Sequence, residues 1–172
     1  MRVGIGHDTH RLVEGRPLIL GGVRIDHPRG LLGHSDADVV MHAVADALLG
    51  AAALGDIGEH YPDTDPKWKG IEGARLLADV VERIGRSGWR PVNCDLTIHA
   101  QEPKLSPHKS AIRANIARLL QLDHAAVNIK AKTGEHVGPI GRGEAIACDA
   151  AVLLLPRDSG LRTRDSGLRT RD

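Results

Sequence analysis

Residues 33–54, Gly-His-Ser-Asp-Ala-Asp-Val-Val-Met-His-Ala-Val-Ala-Asp-Ala-Leu-Leu-Gly-Ala-Ala-Ala-Leu, constrain this fold more than any other stretch. Ser35, with Asp38 three residues later, reads as a capping box. The Ala- and Leu-rich run after it predicts a helix starting near Asp36. Val39, Val40, Met41, Val44, Leu48 and Leu49 make that helix apolar nearly all round, the pattern of a buried helix. Asp38, His42 and Asp46 are nevertheless spaced four apart, so they stack on one face. Buried ionisable groups are costly unless paired, hydrogen-bonded or bound to a metal. The polar stripe therefore needs compensation from elsewhere in the chain.

Residues 2–10 offer it. Their alternation puts Val3, Ile5 and His7 on one face of a strand, and Gly4, Gly6, Asp8 and His10 on the other. Asp8 and His10 at a strand end, with His42 on a buried helix, form a mixed oxygen and nitrogen set that suits Zn²⁺ or another divalent transition metal. Three protein ligands leave the fourth position open, as catalytic sites do. The alternative is that Asp8 and His10 cap a turn and His42 is a hydrogen-bonded core histidine.

The remaining pattern supplies the scaffold. Leu18-Ile19-Leu20 and Val23-Arg24-Ile25 flank Gly21-Gly22, a two-residue hairpin loop. Residues 26–34 read as a loop that delivers His34 and Ser35 to the helix N-terminus, where they contact phosphate or merely cap. Residues 55–66, with Gly, Pro and three Asp, read as a long ordered loop of functional type. Helices are expected over 71–87 and 108–121, and strands over 89–99, 127–132 and 145–155. Turn-rich residues 100–107 carry Lys104. Within the Gly-rich run 133–144, Arg142 can fork onto phosphate and Glu135 can hold a hard cation.

This order gives an α/β (α+β) domain over residues 1–156. It has a mixed four-stranded sheet, a small hairpin and three helices on one face. Residues 157–172 repeat Arg-Asp-Ser-Gly-Leu-Arg-Thr and read as a mobile tail. With no Phe, one Tyr and two Trp, the core must be aliphatic and Ala-rich. A formal net charge of +1 argues against nucleic acid or a membrane surface as partner. Cys94 and Cys148 lack metal-type spacing and read as buried thiols in a reducing compartment. No signal peptide or membrane span is expected, which points to the cytoplasm, or to a plastid stroma for a plant or algal source.

Six motifs carry a resemblance. They are Gly6-His7-Asp8-x-His10, Gly33-His34-Ser35-Asp36-x-Asp38 with His42, Leu54-Gly-Asp-Ile-Gly58, Tyr61-Pro-Asp-Thr-Asp65, Gln101-x-Pro-Lys104 and Gly141-Arg-Gly-Glu-x-Ile-Ala-Cys148. Together, in this order, they resemble the 2-C-methyl-D-erythritol 2,4-cyclodiphosphate synthases of the non-mevalonate isoprenoid pathway, over residues 1 to about 156.

The resemblance implies a homotrimer with sheets packed around the three-fold axis and active sites between subunits. It implies the substrate 4-diphosphocytidyl-2-C-methyl-D-erythritol 2-phosphate, cyclised with release of CMP by a phosphorus–oxygen lyase. Asp8, His10 and His42 would hold Zn²⁺, with Asp46 orienting His42. Glu135 would hold Mg²⁺ or Mn²⁺ with the diphosphate, and His34 and Thr133 would stabilise the transferred group. Thr9, Ser35, Asp56, Ile57 and Gly58 would contact substrate, as would Tyr61, Pro62, Asp63, Thr64 and Asp65. Ala100, Gln101, Glu102, Pro103, Lys104, Leu105 and Ser106, with Ala131, Lys132, Thr133 and Gly134, would enclose the cytidine. Pro139 and Arg142 mark an axial cavity that holds an isoprenoid diphosphate in the family. Pro139 replaces a frequent aromatic, which weakens the expectation of that ligand. Two rival readings are a zinc-dependent phosphoester hydrolase and a non-catalytic, metal-stabilised binding module.

Overall fold

The computed structural model describes residues 1–68 and 70–157. The first strand, β1 (Arg2–Glu14), follows from the alternation at the N-terminus but runs four residues past the expected end at His10, so Asp8 and His10 lie within the strand and not at its end. The hairpin forms as expected, with β2 (Leu18–Leu20) pairing β3 (Val23–Ile25) across Gly21 and Gly22, both at positive φ. Strand β4 (Arg29–Leu31) was not legible: it lies within the expected loop 26–34 and adds to the edge of β1. After it come α1 (Val39–Ala52), the short α2 (Ile57–His60) and α3 (Gly73–Arg86). They are followed by β5 (Trp89–His99), α4 (Lys109–Leu120), β6 (Val127–Lys132), the short α5 (Gly138–Gly141) and β7 (Ala145–Pro156).

The main sheet is thus five-stranded, one strand more than expected, in the order β4-β1-β7-β5-β6. It is mixed, because β5 and β6 run parallel through the α4 crossover while the other pairs are antiparallel. The three longer helices match the expected ones within a few residues. The expectation of a mobile tail falls on residues 158–172, outside the described residues.

Helix α1 is the centre of the packing. Every residue in it except Asp46 and Gly50 is buried. Two glycines of β1 let it lie directly on the sheet. A Cβ at Gly4 would stand 2.0 Å from the Ala47 carbonyl oxygen, and one at Gly6 2.1 Å from that of Ala43. With Ala43, Ala47 and Ala51 opposite, strand and helix backbones approach more closely than larger side chains would permit. Helix α3 packs against α1 and β5, and α4 against β6. Cys94 and Cys148 are free buried thiols.

Among the described residues nothing covers the opposite sheet face. Val3 and Ile5 are 69% and 80% exposed there. Asp149 on the same face receives His7 at 2.7 Å and His99 at 2.8 Å. No helix among the described residues is long and apolar enough to cross a membrane.

Candidate metal centre and active site

Strand β1 and helix α1 bring Asp8, His10 and His42 together, as the spacing suggested. Asp8 Oδ2 lies 2.9 Å from His42 Nδ1 and 3.0 Å from His10 Nε2, and the two nitrogens are 3.2 Å apart. Ligand atoms 2.0–2.1 Å from a tetrahedral ion are about 3.3 Å apart, close to this triangle. The outer ring nitrogens strengthen the fit. His10 Nδ1 is 2.8 Å from the Leu32 carbonyl oxygen, which can only accept, so Nδ1 carries the proton. In the neutral ring, Nε2 then presents a bare lone pair to a carboxylate oxygen. His42 Nε2 is 3.2 Å from the Ser35 hydroxyl, which leaves Nδ1 for the same centre. Three lone-pair donors this close repel one another unless a proton or a cation lies among them. The set fits a divalent metal.

The electrostatics agree. Burial raises the Asp8 carboxyl, but the hydrogen bonds and charges of His10 and His42 outweigh it and hold the group well below the usual carboxylate range. Burial lowers His10, yet Asp8 and the Leu32 carbonyl raise it overall.

The rest of the polar stripe has other duties. Asp38, fully buried, is the N-cap of α1 in place of Ser35. Its Oδ1 accepts from Gly21, Val40 and Met41 N–H at 2.8, 3.1 and 3.2 Å, and its Oδ2 from Gly22 N–H at 2.6 Å. One carboxylate thus ties the hairpin turn to the helix start, and α1 begins at Val39, not near Asp36. It also fills the helix N-terminus that His34 and Ser35 were expected to offer to phosphate. Asp46, expected to orient His42, accepts the Ile57 N–H at 2.8 Å instead. Four residues is one turn plus about 40°, so Asp46 leans towards α2. The outer partner of His42 is the Ser35 hydroxyl. Ser35 is itself fixed by the Ala37 N–H at 2.9 Å and, through its carbonyl, by Arg16 Nη2 at 3.0 Å.

A cleft of about 740 Å³ opens beside this centre. Of the expected residues, Asp8, His10, His34, Ser35, His42, Ile57, Gly58, Tyr61, Pro62, Asp63 and Thr64 line it. His34 Nε2 faces Asp63 Oδ2 at 3.8 Å. Pro66, Trp68, Ile71 and Leu76 complete the walls and were missed. Leu76 is a buried residue of the helix expected over 71–87, and only packing reveals that it also lines a cleft. Asp56 caps α2 through the Glu59 N–H at 2.9 Å, and Asp65 accepts from Lys67 N–H at 2.9 Å. The Thr9 side chain points to the uncovered sheet face, 2.9 Å from His7 Nε2, while its N–H bonds Asp8 Oδ1 at 2.8 Å.

The other expected residues do not line this cleft within one chain. They gather where β5 and β6 end, joined by the Ala100 N–H to the Lys132 carbonyl at 2.9 Å. Gln101 Oε1 accepts from the His136 N–H at 3.4 Å. Glu102, Lys104 and Ser106 are exposed, whereas Leu105 is buried, so only its backbone can meet a ligand. Thr133 Oγ1 donates to Glu135 Oε1 at 2.7 Å. Glu135 and His136 both take positive φ, which turns the chain after Gly134. Pro139 opens α5, and the Arg142 fork is taken by Glu144 at 2.7 and 3.0 Å.

With this geometry in view, the chain compares closely with known proteins. It is 61% identical to the 2-C-methyl-D-erythritol 2,4-cyclodiphosphate synthase of Bordetella pertussis, over 89% of this chain and 94% of that protein. A solved structure of a 2C-methyl-D-erythritol-2,4-cyclodiphosphate synthase in a CDP-bound form superposes with a TM-score of 0.83. It is 40% identical over 90% of this chain and all of that one. A bifunctional IspDF protein from Campylobacter jejuni superposes with a TM-score of 0.85 and 46% identity over 89% of this chain. This chain spans only 42% of that longer protein. The YgbB family matches residues 1–155, and the chain belongs to it.

Proposed function

We propose that this chain converts 4-diphosphocytidyl-2-C-methyl-D-erythritol 2-phosphate into 2-C-methyl-D-erythritol 2,4-cyclodiphosphate and CMP. The carrying observation is the convergence of Asp8, His10 and His42 at the mouth of a cleft. The names of the relatives and the CDP-bound neighbour support the same reading.

An oxygen of the 2-phosphate attacks the β-phosphorus. The bond from that phosphorus to the bridging oxygen breaks, and CMP leaves with the oxygen. No protein nucleophile is required, because the reaction is intramolecular and needs positioning and charge neutralisation. A divalent ion, Zn²⁺ in this reading, supplies Lewis acidity and a template when bound. Asp8, His10 and His42 would hold it, and the Leu32 carbonyl and the Ser35 hydroxyl fix the ring orientations. His34, on the cleft wall, donates to charge developing on the transferred group, and so does Thr133 once its hydroxyl turns away from Glu135. Glu135 would hold Mg²⁺ or Mn²⁺, which would neutralise charge on the diphosphate. The 56–65 segment takes the methylerythritol phosphate half, and residues 100–106 and 131–134 enclose the cytidine.

A homotrimer fits two observations. One sheet face is uncovered and carries exposed Val3 and Ile5. The nucleotide-binding candidates lie apart from the cleft of their own chain, which suits a site completed by a neighbouring copy. The free thiols fit a reducing cytoplasm. The hydrolase alternative has no support from the relatives.

Phosphorus NMR of the product mixture tests the reading. A cyclic diphosphate with equimolar CMP is expected, and a linear phosphomonoester would refute it. Asp8→Ser should form the same oligomer with turnover nearly abolished, and full activity in that variant would remove the metal assignment.

A further inference from the structure

The cleft wall after α2 is the segment Tyr61 to Trp68, held within itself only by short turns, Asp65 N–H to the Pro62 carbonyl at 3.1 Å and Trp68 N–H to the Asp65 carbonyl at 3.0 Å. Its first residue is anchored at a distance. Tyr61 is 8% exposed, and a buried phenol needs a hydrogen-bond partner. The Tyr61 hydroxyl donates to Asp79 Oδ2 on α3. Arg83 Nε, one turn further along α3, donates to the same oxygen at 2.7 Å. Its guanidinium carbon lies 5.6 Å from the centre of the Tyr61 ring. The Tyr61 and Trp68 ring centres are 5.0 Å apart with their planes at 78°, and Lys67 Nζ lies 4.3 Å from the centre of the Trp68 ring. A solvent-facing Asp–Arg pair within one helix contributes little by itself. Here the carboxylate reaches out of its helix, and a second element hangs on it.

We propose that Asp79 and Arg83 are positioning residues that latch the Tyr61–Trp68 segment in place as the cleft wall, and so set affinity for the non-nucleotide half of the substrate. The latch rests on the proposed function for that half's identity. Neither side chain lines the cleft, so both act through Tyr61. Losing the latch frees a wall of the binding site without moving Asp8, His10 or His42.

The chain has two tryptophans, so in a Trp89→Phe background Trp68 alone reports on the segment. Asp79→Ala and Tyr61→Phe are each made there. Asp79 is partly exposed on a helix surface, and Tyr61→Phe retains the ring, so both variants should fold. Expected results are a KM raised roughly tenfold, kcat within about twofold and unchanged zinc affinity, the loss of about one charge-assisted hydrogen bond. Acrylamide quenching of Trp68 should rise about twofold without substrate, and the double variant should add little, since both changes cut one contact. Unchanged KM and quenching in both variants would overturn the proposal, as would a fall in kcat at constant KM. If the unmodified protein forms no cyclic product, the function fails alone, because quenching reads the latch without substrate.

Discussion

Replacing Gly6 with alanine adds one methyl group, and the structure fixes what it meets. The new Cβ would stand 2.1 Å from the Ala43 carbonyl oxygen and 2.7 Å from the Ala47 nitrogen, both backbone atoms of α1. Ordinary carbon–oxygen contact is near 3.3 Å, so strand and helix must part by about 1 Å, with no side chain to swing aside. Overpacking of this kind costs about 3 kcal/mol, and at 2–4 °C per kcal/mol the melting temperature should fall by about 6–12 °C. The same separation carries Asp8, two residues on, away from His42. The donor triangle of 2.9–3.2 Å then widens, and zinc affinity should drop at least about tenfold. Gly50 is the control. It lies within α1 itself, and a Cβ there meets nothing within 4 Å. Gly50→Ala should stabilise by about 0.5–1 kcal/mol through helix propensity alone. The assays are urea and thermal unfolding of the metal-free protein, with zinc titration against a chromophoric chelator. If Gly6→Ala melts and binds zinc like the unmodified protein, the close-approach account of the metal site is wrong.

Three further outcomes are expected. A strong chelator should lower the melting temperature of zinc-loaded protein, since at 100–1,000 times Kd a bound ion adds about 2.7–4.1 kcal/mol; an unchanged melt would remove the metal from the folded state. Burial pushes Asp38 up to about 6 against the pull of its N–H donors. The folded chain therefore keeps a proton that the unfolded chain releases above about pH 4, so this contribution to stability is lost as pH rises through 6. Relative to Asp38→Asn, the unmodified protein should lose up to about 3 kcal/mol between pH 4 and 7, read from urea midpoints; parallel curves would refute this. Burial also pushes the Cys94 thiol up to about 12 and Cys148 well above its ordinary value. Both should resist a thiol reagent until the chain unfolds, and rapid native labelling of either would contradict their burial.

The sequence alone determined the local periodicities and the faces they assign. Alternation along residues 2–10 set which side chains share a face of β1, and the apolar run after Asp38 required a buried helix. Gly21-Gly22 required a tight hairpin. The ligand types at Asp8, His10 and His42 were legible because few side chains bind a metal and all three lay on faces that period assigns. Tertiary packing decided the pairings. Asp38, His42 and Asp46 share one helix stripe, yet one caps and ties a hairpin, one joins Asp8 and His10 in the candidate metal set and one holds α2. The short strand β4 exists because β1 offers an edge to pair with, not because three residues carry a strand period. The Ser35–His42 contact and the Tyr61–Asp79 hydrogen bond likewise join residues 7 and 18 positions apart. Backbone geometry repeats every two or 3.6 residues and so is written locally, whereas a polar group's partner is whatever the packed chain brings within 3 Å of it.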